Sequence, residues 1–150
     1  MTRGDDIEAL IPHRLPMRMI DRLIDAGDDW IVVGAMVRDT LFSTPEGLPA
    51  WVGIELMAQS VAVWAGLLAR RQNRPVKLGF LLGTRRYTAH VPFFQFGANL
   101  HVHATCELVG ENGLGVFACR ILHGDRELAT ASLNVFQPPN VETYLNEGNT

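Results

Sequence analysis

Glu55 and Gln59 stand one helical turn apart in a run, Trp51 to Ala69, that otherwise carries almost no charge. An ionised carboxylate in such a helix costs several kcal/mol unless it is paired or neutralised, so the position is kept for chemistry or for a specific partner. A neutralised Glu55 is a proton donor, and Gln59 on the same face would hold the same water or hydroxyl. Just upstream, Ala50, Trp51 and Val52 lead into the helix with N–H groups that helix geometry leaves unmatched. They lie at the positive end of the dipole, where an oxygen gaining negative charge would sit. Each residue also has a structural alternative: Glu55 paired with an arginine such as Arg85 or Arg86, Gln59 a satisfied core amide, Trp51 a core anchor.

The remaining candidates are weaker. His101 and His103 alternate onto one face of a strand without a third ligand nearby, so no metal site is expected. His90 and His123 read as strand-end or turn residues. Cys106 and Cys119 have no CxxC spacing and read as small reduced core residues rather than a disulfide. Leu82, Tyr87, Val91, Phe93, Phe94 and Phe96 would suit the lining of a channel for an apolar chain, and equally the filling of a core.

The elements that position these residues follow from pattern. At 150 residues and 47% hydrophobic, the chain is sized for a single domain with one core, assigned to residues 1–137, and a polar tail over 138–150. Asp5 to Leu10 reads as a short helix stopped by Pro12. Met17 to Ala26 and Trp30 to Arg38 read as a hairpin joined at Gly27, Asp28 and Asp29. The long helix ends at Arg70 and Arg71, cations suited to its C-terminal dipole, before Asn73 and Pro75. Strands are expected over Lys77 to Gly83, Arg86 to Val91, Ala98 to Val109, Leu114 to Leu122 and Glu127 to Phe136, the last three in successive hairpins. A helix apolar all round must be enclosed, and the strands are the material available to enclose it.

A net charge of -3 gives no footprint for nucleic acid, and the N-terminus lacks a secretion signal, so a cytoplasmic location is expected. Glu55, Gln59, Ser60, Gly53 and Gly66 interrupt the apolar run, which argues for a buried helix rather than a membrane span.

Three stretches resemble one family. Ile11 to Met17 reads I-P-H-R-L-P-M and leads to Asp21 and Arg22, similar to the L-P-H-R-x-P opening of the hotdog-fold β-hydroxyacyl-(acyl carrier protein) dehydratases. Leu48 to Gln59 resembles their helix start, which ends E-A-M-A-Q. Phe80 to Gly97 resembles their basic segment before V-x-P-G-D. The likeness covers residues 7 to 137, and is nearest to the smaller, ApeP-like subunits of aryl-polyene pigment pathways, by the run from Gly47 to Glu55.

The resemblance implies an α+β hotdog fold, with a long central helix wrapped by a curved, mainly antiparallel sheet of five to six strands. It implies dehydration of a 3-hydroxyacyl thioester carried by acyl carrier protein or CoA, without cofactor, in fatty-acid or polyene-type biosynthesis. In that family a histidine removes the C2 proton, the helix carboxylate serves the departing hydroxyl, and backbone N–H groups polarise the carbonyl. The family's histidine lies in a G-H-F-P-G loop. Here that loop, from Asp39 to Gly47, has none, and no histidine occurs between His13 and His90. His13 is therefore the compensating candidate within this chain, its alternative being a helix-capping or interface role. Hotdog dimers share sites between chains, so a chain that keeps Glu55 is suited to half of a site, in a homodimer or beside a histidine-bearing hotdog partner. The competing functions are acyl thioester hydrolysis at the same helix and a catalytically silent acyl-binding subunit.

Overall fold

The structure is a computed structural model describing residues 7, 9–11, 17–73, 80–110 and 112–136. In chain order it runs β1 Arg22–Ala26, β2 Trp30–Met36, β3 Leu48–Pro49, a 3-10 turn Ala50–Val52, α1 Gly53–Arg71, β4 Phe80–Ala89, β5 Phe93–Phe94, β6 Asn99–Val109, β7 Leu114–His123 and β8 Arg126–Phe136. Six strands form one sheet in the order β1-β2-β6-β7-β8-β4, every pairing antiparallel. β3 and β5 form a separate two-stranded ladder.

Alternation along the strands sends one face of the sheet onto the helix. Ile31, Val33 and Ala35 of β2, Leu100, Val102 and Ala104 of β6, and Phe117, Cys119 and Ile121 of β7 are all buried with Leu56, Met57, Val61 and Val63 of α1. One helix against a six-stranded antiparallel sheet is the hotdog arrangement expected. Ala50–Arg71 is long and apolar enough to span a membrane. It serves instead as the core helix, packed on β2, β6 and β7.

The N-terminal turn crosses that helix closely. Ile7, Leu10 and Ile11 are buried, and a Cβ on Gly66 would lie 2.1 Å from the Leu10 carbonyl oxygen, so only glycine admits the contact. The expected helix from Asp5 to Leu10 lies mostly outside the described residues, as does the tail over 138–150.

Two strand expectations need correction. The two strands proposed around a turn at residues 84 and 85 are one, β4, which absorbs the polar stretch in register shifts after Leu81 and Arg85, with Arg86 at φ 56°. The first strand begins at Arg22 rather than Met17, because Met19 N–H donates to the Gln59 side chain and Met17 O accepts from it, instead of pairing in a ladder. Cys106 and Cys119 are both free thiols, as expected.

Candidate active site

Leu48 and Pro49 pair with Phe94 and Phe93, and this short ladder delivers the chain into the helix. Ala50 N–H donates to the Pro92 carbonyl at 3.0 Å, while the Tyr87 hydroxyl donates to the Ala50 carbonyl. Gly53 follows with no room for a side chain: a Cβ there would lie 2.3 Å from the Tyr87 oxygen and 3.1 Å from the Phe94 ring. The start of the helix is thus clamped from two sides.

This clamp changes the expected donor set. Ala50 N–H is committed to Pro92, so it is not available to a substrate oxygen. In a 3-10 turn capped by Pro49, the N–H of Val52 closes on the Pro49 carbonyl. Trp51 N–H is what remains. The Trp51 side chain is no core anchor: it is 59% exposed, meeting Phe42 edge to face with ring centroids 5.6 Å apart.

One turn into α1, the Gln59 side chain is fully buried with its hydrogen-bonding groups engaged. Its carbonyl accepts from Met19 N–H at 2.8 Å, and its amide donates to Met17 O at 2.8 Å and to Glu55 Oε1 at 3.0 Å. Glu55 is half-buried in the first turn of α1. Gln59 therefore fastens the carboxylate to the Met17–Met19 segment, a tie across 40 residues that no local pattern reveals.

Arg85 pairs in register with Ser132, which lies between the inward-facing Ala131 and Leu133, so Arg85 stands on the outer face of the sheet. Arg86 lines a shallow depression on that face with Arg120, Thr130 and Ser132. Neither is placed to pair with Glu55.

His13 lies outside the described residues. His101 and His103 stand on the outer face, opposite Leu122 and Arg120 of β7. Partial burial and then the charges of Arg120 and His101 hold His103 below the usual histidine range. His90 sits 4.0 Å from Glu127, and His123 is exposed at the β7–β8 turn. Among the described residues, no group of three His, Cys, Asp or Glu side chains could hold a metal ion. The loop that would carry the family histidine is closed on itself instead: Thr40 N–H donates to Ser43 Oγ at 2.8 Å, and Thr44 bridges Gly47.

The proposed channel lining disperses. Phe94 is buried against Gly53, Tyr87 is spent on the helix start, and Phe96 is 45% exposed; the Leu82 side chain lies outside the described residues. A partly open pocket beside this helix has other apolar walls: Met19, Ala35, Val37, Leu48, Leu56 and Leu100. Small residues in large company, such as Ala35 after Ile31 and Val33, were the signal that could have found it.

The family model for ApeP-like proteins, described as ApeP dehydratase, matches residues 5–146. Among solved structures, the dehydratase heterocomplex ApeI:P from Xenorhabdus doucetiae is similar at 31% identity and a TM-score of 0.84, covering 93% of this chain and 95% of that one. A hypothetical thioesterase with coenzyme A from Streptococcus pneumoniae TIGR4 matches at 14% identity and TM-score 0.62, covering 77% and 84%. An uncharacterized protein, PH1136 from Pyrococcus horikoshii, matches at 7% identity and TM-score 0.65, covering 88% and 93%. The last two likenesses carry the fold alone. Among curated proteins, none matches. With a family model spanning most of its length and a relative above 30% identity over nearly all of it, the chain belongs to the ApeP-like dehydratase family.

Proposed function

We propose that this chain is the carboxylate-bearing subunit of a cytoplasmic dehydratase acting on 3-hydroxyacyl thioesters of acyl carrier protein, in fatty-acid or polyene-type synthesis. The base is a histidine from a second hotdog chain. The observation that carries this is the Gln59 clamp, which presents Glu55 at the start of the helix in a chain whose corresponding loop has no histidine. The similar structure at 31% identity is itself a heterocomplex, which supports an unlike partner.

In the reaction, the partner histidine takes the proton from C2 while the carbonyl oxygen gains negative charge and accepts from Trp51 N–H. The electron pair of the broken C2–H bond becomes the C2–C3 double bond as the C3–O bond breaks. The Glu55 carboxyl gives its proton to the departing hydroxyl, which leaves as water. Gln59 acts as a positioning residue, since its donors are already spent on Met17 and Glu55.

The test is the dehydration rate of a 3-hydroxyacyl carrier-protein thioester with this chain alone, a histidine-bearing hotdog partner alone, and the two mixed. The mixture is expected to form a complex more active than either part, with enoyl absorbance and no free thiol. Full activity of this chain alone would move the base to His13. Release of thiol would make it a thioesterase, and no added activity in the mixture would leave a silent acyl-binding subunit.

A further inference from the structure

A second cluster of chemistry-bearing side chains lies on the outer face of the sheet, across it from α1. Arg86, His103, Thr105, Arg120, Thr130 and Ser132 line one shallow depression there, drawn from β4, β6, β7 and β8. His103 and Arg120 are partners in the β6–β7 ladder, and Arg120 and Thr130 in the β7–β8 ladder, so the three form a row across the sheet. Thr105 and Ser132 flank Ala118 in the next row.

Arg86 reaches this depression only because the backbone departs from regular pleating. Arg85 pairs with Ser132 and Thr88 with Thr130, so two residues of β4, Arg86 and Tyr87, stand opposite the single Ala131. Regular alternation after the outward Arg85 would turn Arg86 inward and Tyr87 outward. The bulge reverses both: Tyr87 turns in to the Ala50 carbonyl, and Arg86 joins the depression. The irregularity is absorbed at Arg86 itself, whose φ of 56° an arginine adopts only at a cost in energy.

The groups gathered in this way are donors with little to donate to. Among the described residues Arg86 has no ion pair, and the hydroxyls of Thr105, Thr130 and Ser132 have no hydrogen-bond partner. Glu127 faces Arg120 at 3.7 Å and His90 at 4.0 Å, beyond hydrogen-bond distance in both cases. Partial burial and then the charges of Arg120 and His101 hold the His103 imidazole below its usual range, so at neutral pH it offers one N–H rather than a charge. Guanidinium forks match the oxygens of a phosphoryl group, and hydroxyls beside them complete its hydrogen bonds. We infer that this depression is a binding site for a phosphoryl group, held between Arg86 and Arg120, with His103, Thr105, Thr130 and Ser132 supplying further donors. The site lies across the sheet from Glu55 and does not rest on the dehydratase reading.

The test titrates the full chain with inorganic phosphate and, separately, with glycerol 3-phosphate, at an ionic strength held constant with chloride. Binding is followed by the NMR signals of the His103 ring and of the Arg86 and Arg120 side chains. A saturable shift is expected with either phosphate and none with chloride alone. Arg86→Gln and Arg120→Gln are each expected to weaken binding about tenfold or more, the loss that follows from removing a charge-assisted hydrogen bond. Arg126→Gln, at the exposed β7–β8 turn, is expected to leave it unchanged. Arg86→Gly accepts the same backbone angle, so it separates the guanidinium from the fold, and is expected to keep the fold and lose the affinity. Tighter binding of glycerol 3-phosphate would identify an organic phosphate as the ligand, and tighter binding of inorganic phosphate the free ion; both support the site. An equal response to chloride, an equal loss in Arg126→Gln, or unchanged affinity in a folded Arg86→Gly would overturn it.

Discussion

The Gln59 amide nitrogen lies 3.0 Å from Glu55 Oε1 and 2.8 Å from the Met17 carbonyl, so one buried side chain joins the candidate acid to the segment that precedes the first strand. An i, i+4 pair on a helix is worth a few tenths of a kcal/mol when exposed. Here burial raises the stakes, because each group left without its partner keeps its desolvation penalty.

Gln59→Ala strands Met19 N–H and Met17 O together and removes one hydrogen bond from Glu55. The expected loss is about 3 kcal/mol, on the order of 10 °C in melting temperature for a chain of this size. Thermal unfolding by circular dichroism checks it. A change under about 2 °C would mean that the hydrogen bonds are readily replaced by water.

Gly66→Ala sets two effects against each other. Helix propensity favours alanine by about 1 kcal/mol. The added Cβ, however, would sit 2.1 Å from the Leu10 carbonyl oxygen, which is backbone and cannot swing aside, and overpacking of that kind costs about 1–3 kcal/mol or more. The clash is expected to win, giving a lower melting temperature and faster proteolytic cleavage ahead of the first strand.

Tyr87→Phe removes the hydroxyl that holds the Ala50 carbonyl. About 1 kcal/mol of stability should go. If this clamp orients Trp51 N–H toward the thioester oxygen, kcat in the complex with the partner falls several-fold while KM changes little. Equal changes in both would assign Tyr87 a purely structural role.

The alkaline limb of stability should carry the marks of two buried groups. Burial pushes the Tyr87 hydroxyl up to about 12 from 10.0, and burial, followed by the charge of Glu107, pushes the Cys119 thiol up to about 12 from 9.0. Above the unfolded values the unfolded chain releases these protons and the folded chain keeps them, so stability present below pH 9 is lost as pH rises toward 12. Denaturant midpoints from pH 8 to 11.5 are expected to fall less steeply in Tyr87→Phe and in Cys119→Ala than in the wild type.

What the sequence made legible was whatever one element settles by itself. The apolar run announced α1 and its terminal Arg70 and Arg71, and Gly124, at φ 60°, marked the β7–β8 hairpin as glycine turns do. Gly83, Thr84, Arg85 and Arg86 have the composition of a turn, yet pairing with β8 keeps the first three in the ladder and takes up Arg86, at φ 56°, in a register shift. At the site, the spacing of Glu55 and Gln59 was readable, since it depends only on helical period. The other half of the clamp, Met17 and Met19, depends on where a distant segment crosses the helix. The loss of Ala50 N–H to Pro92 was hidden for the same reason, as was a cavity whose walls come from five separate stretches of chain.

The most direct test compares wild type with Glu55→Gln in the complex with a histidine-bearing hotdog partner, at equal assembly by size-exclusion chromatography, on a 3-hydroxyacyl carrier-protein substrate. Loss of the proton donor is expected to lower kcat about 10²–10⁴-fold with the complex intact. Dehydration at the wild-type rate by an intact Glu55→Gln complex would contradict the assignment of Glu55 as the acid.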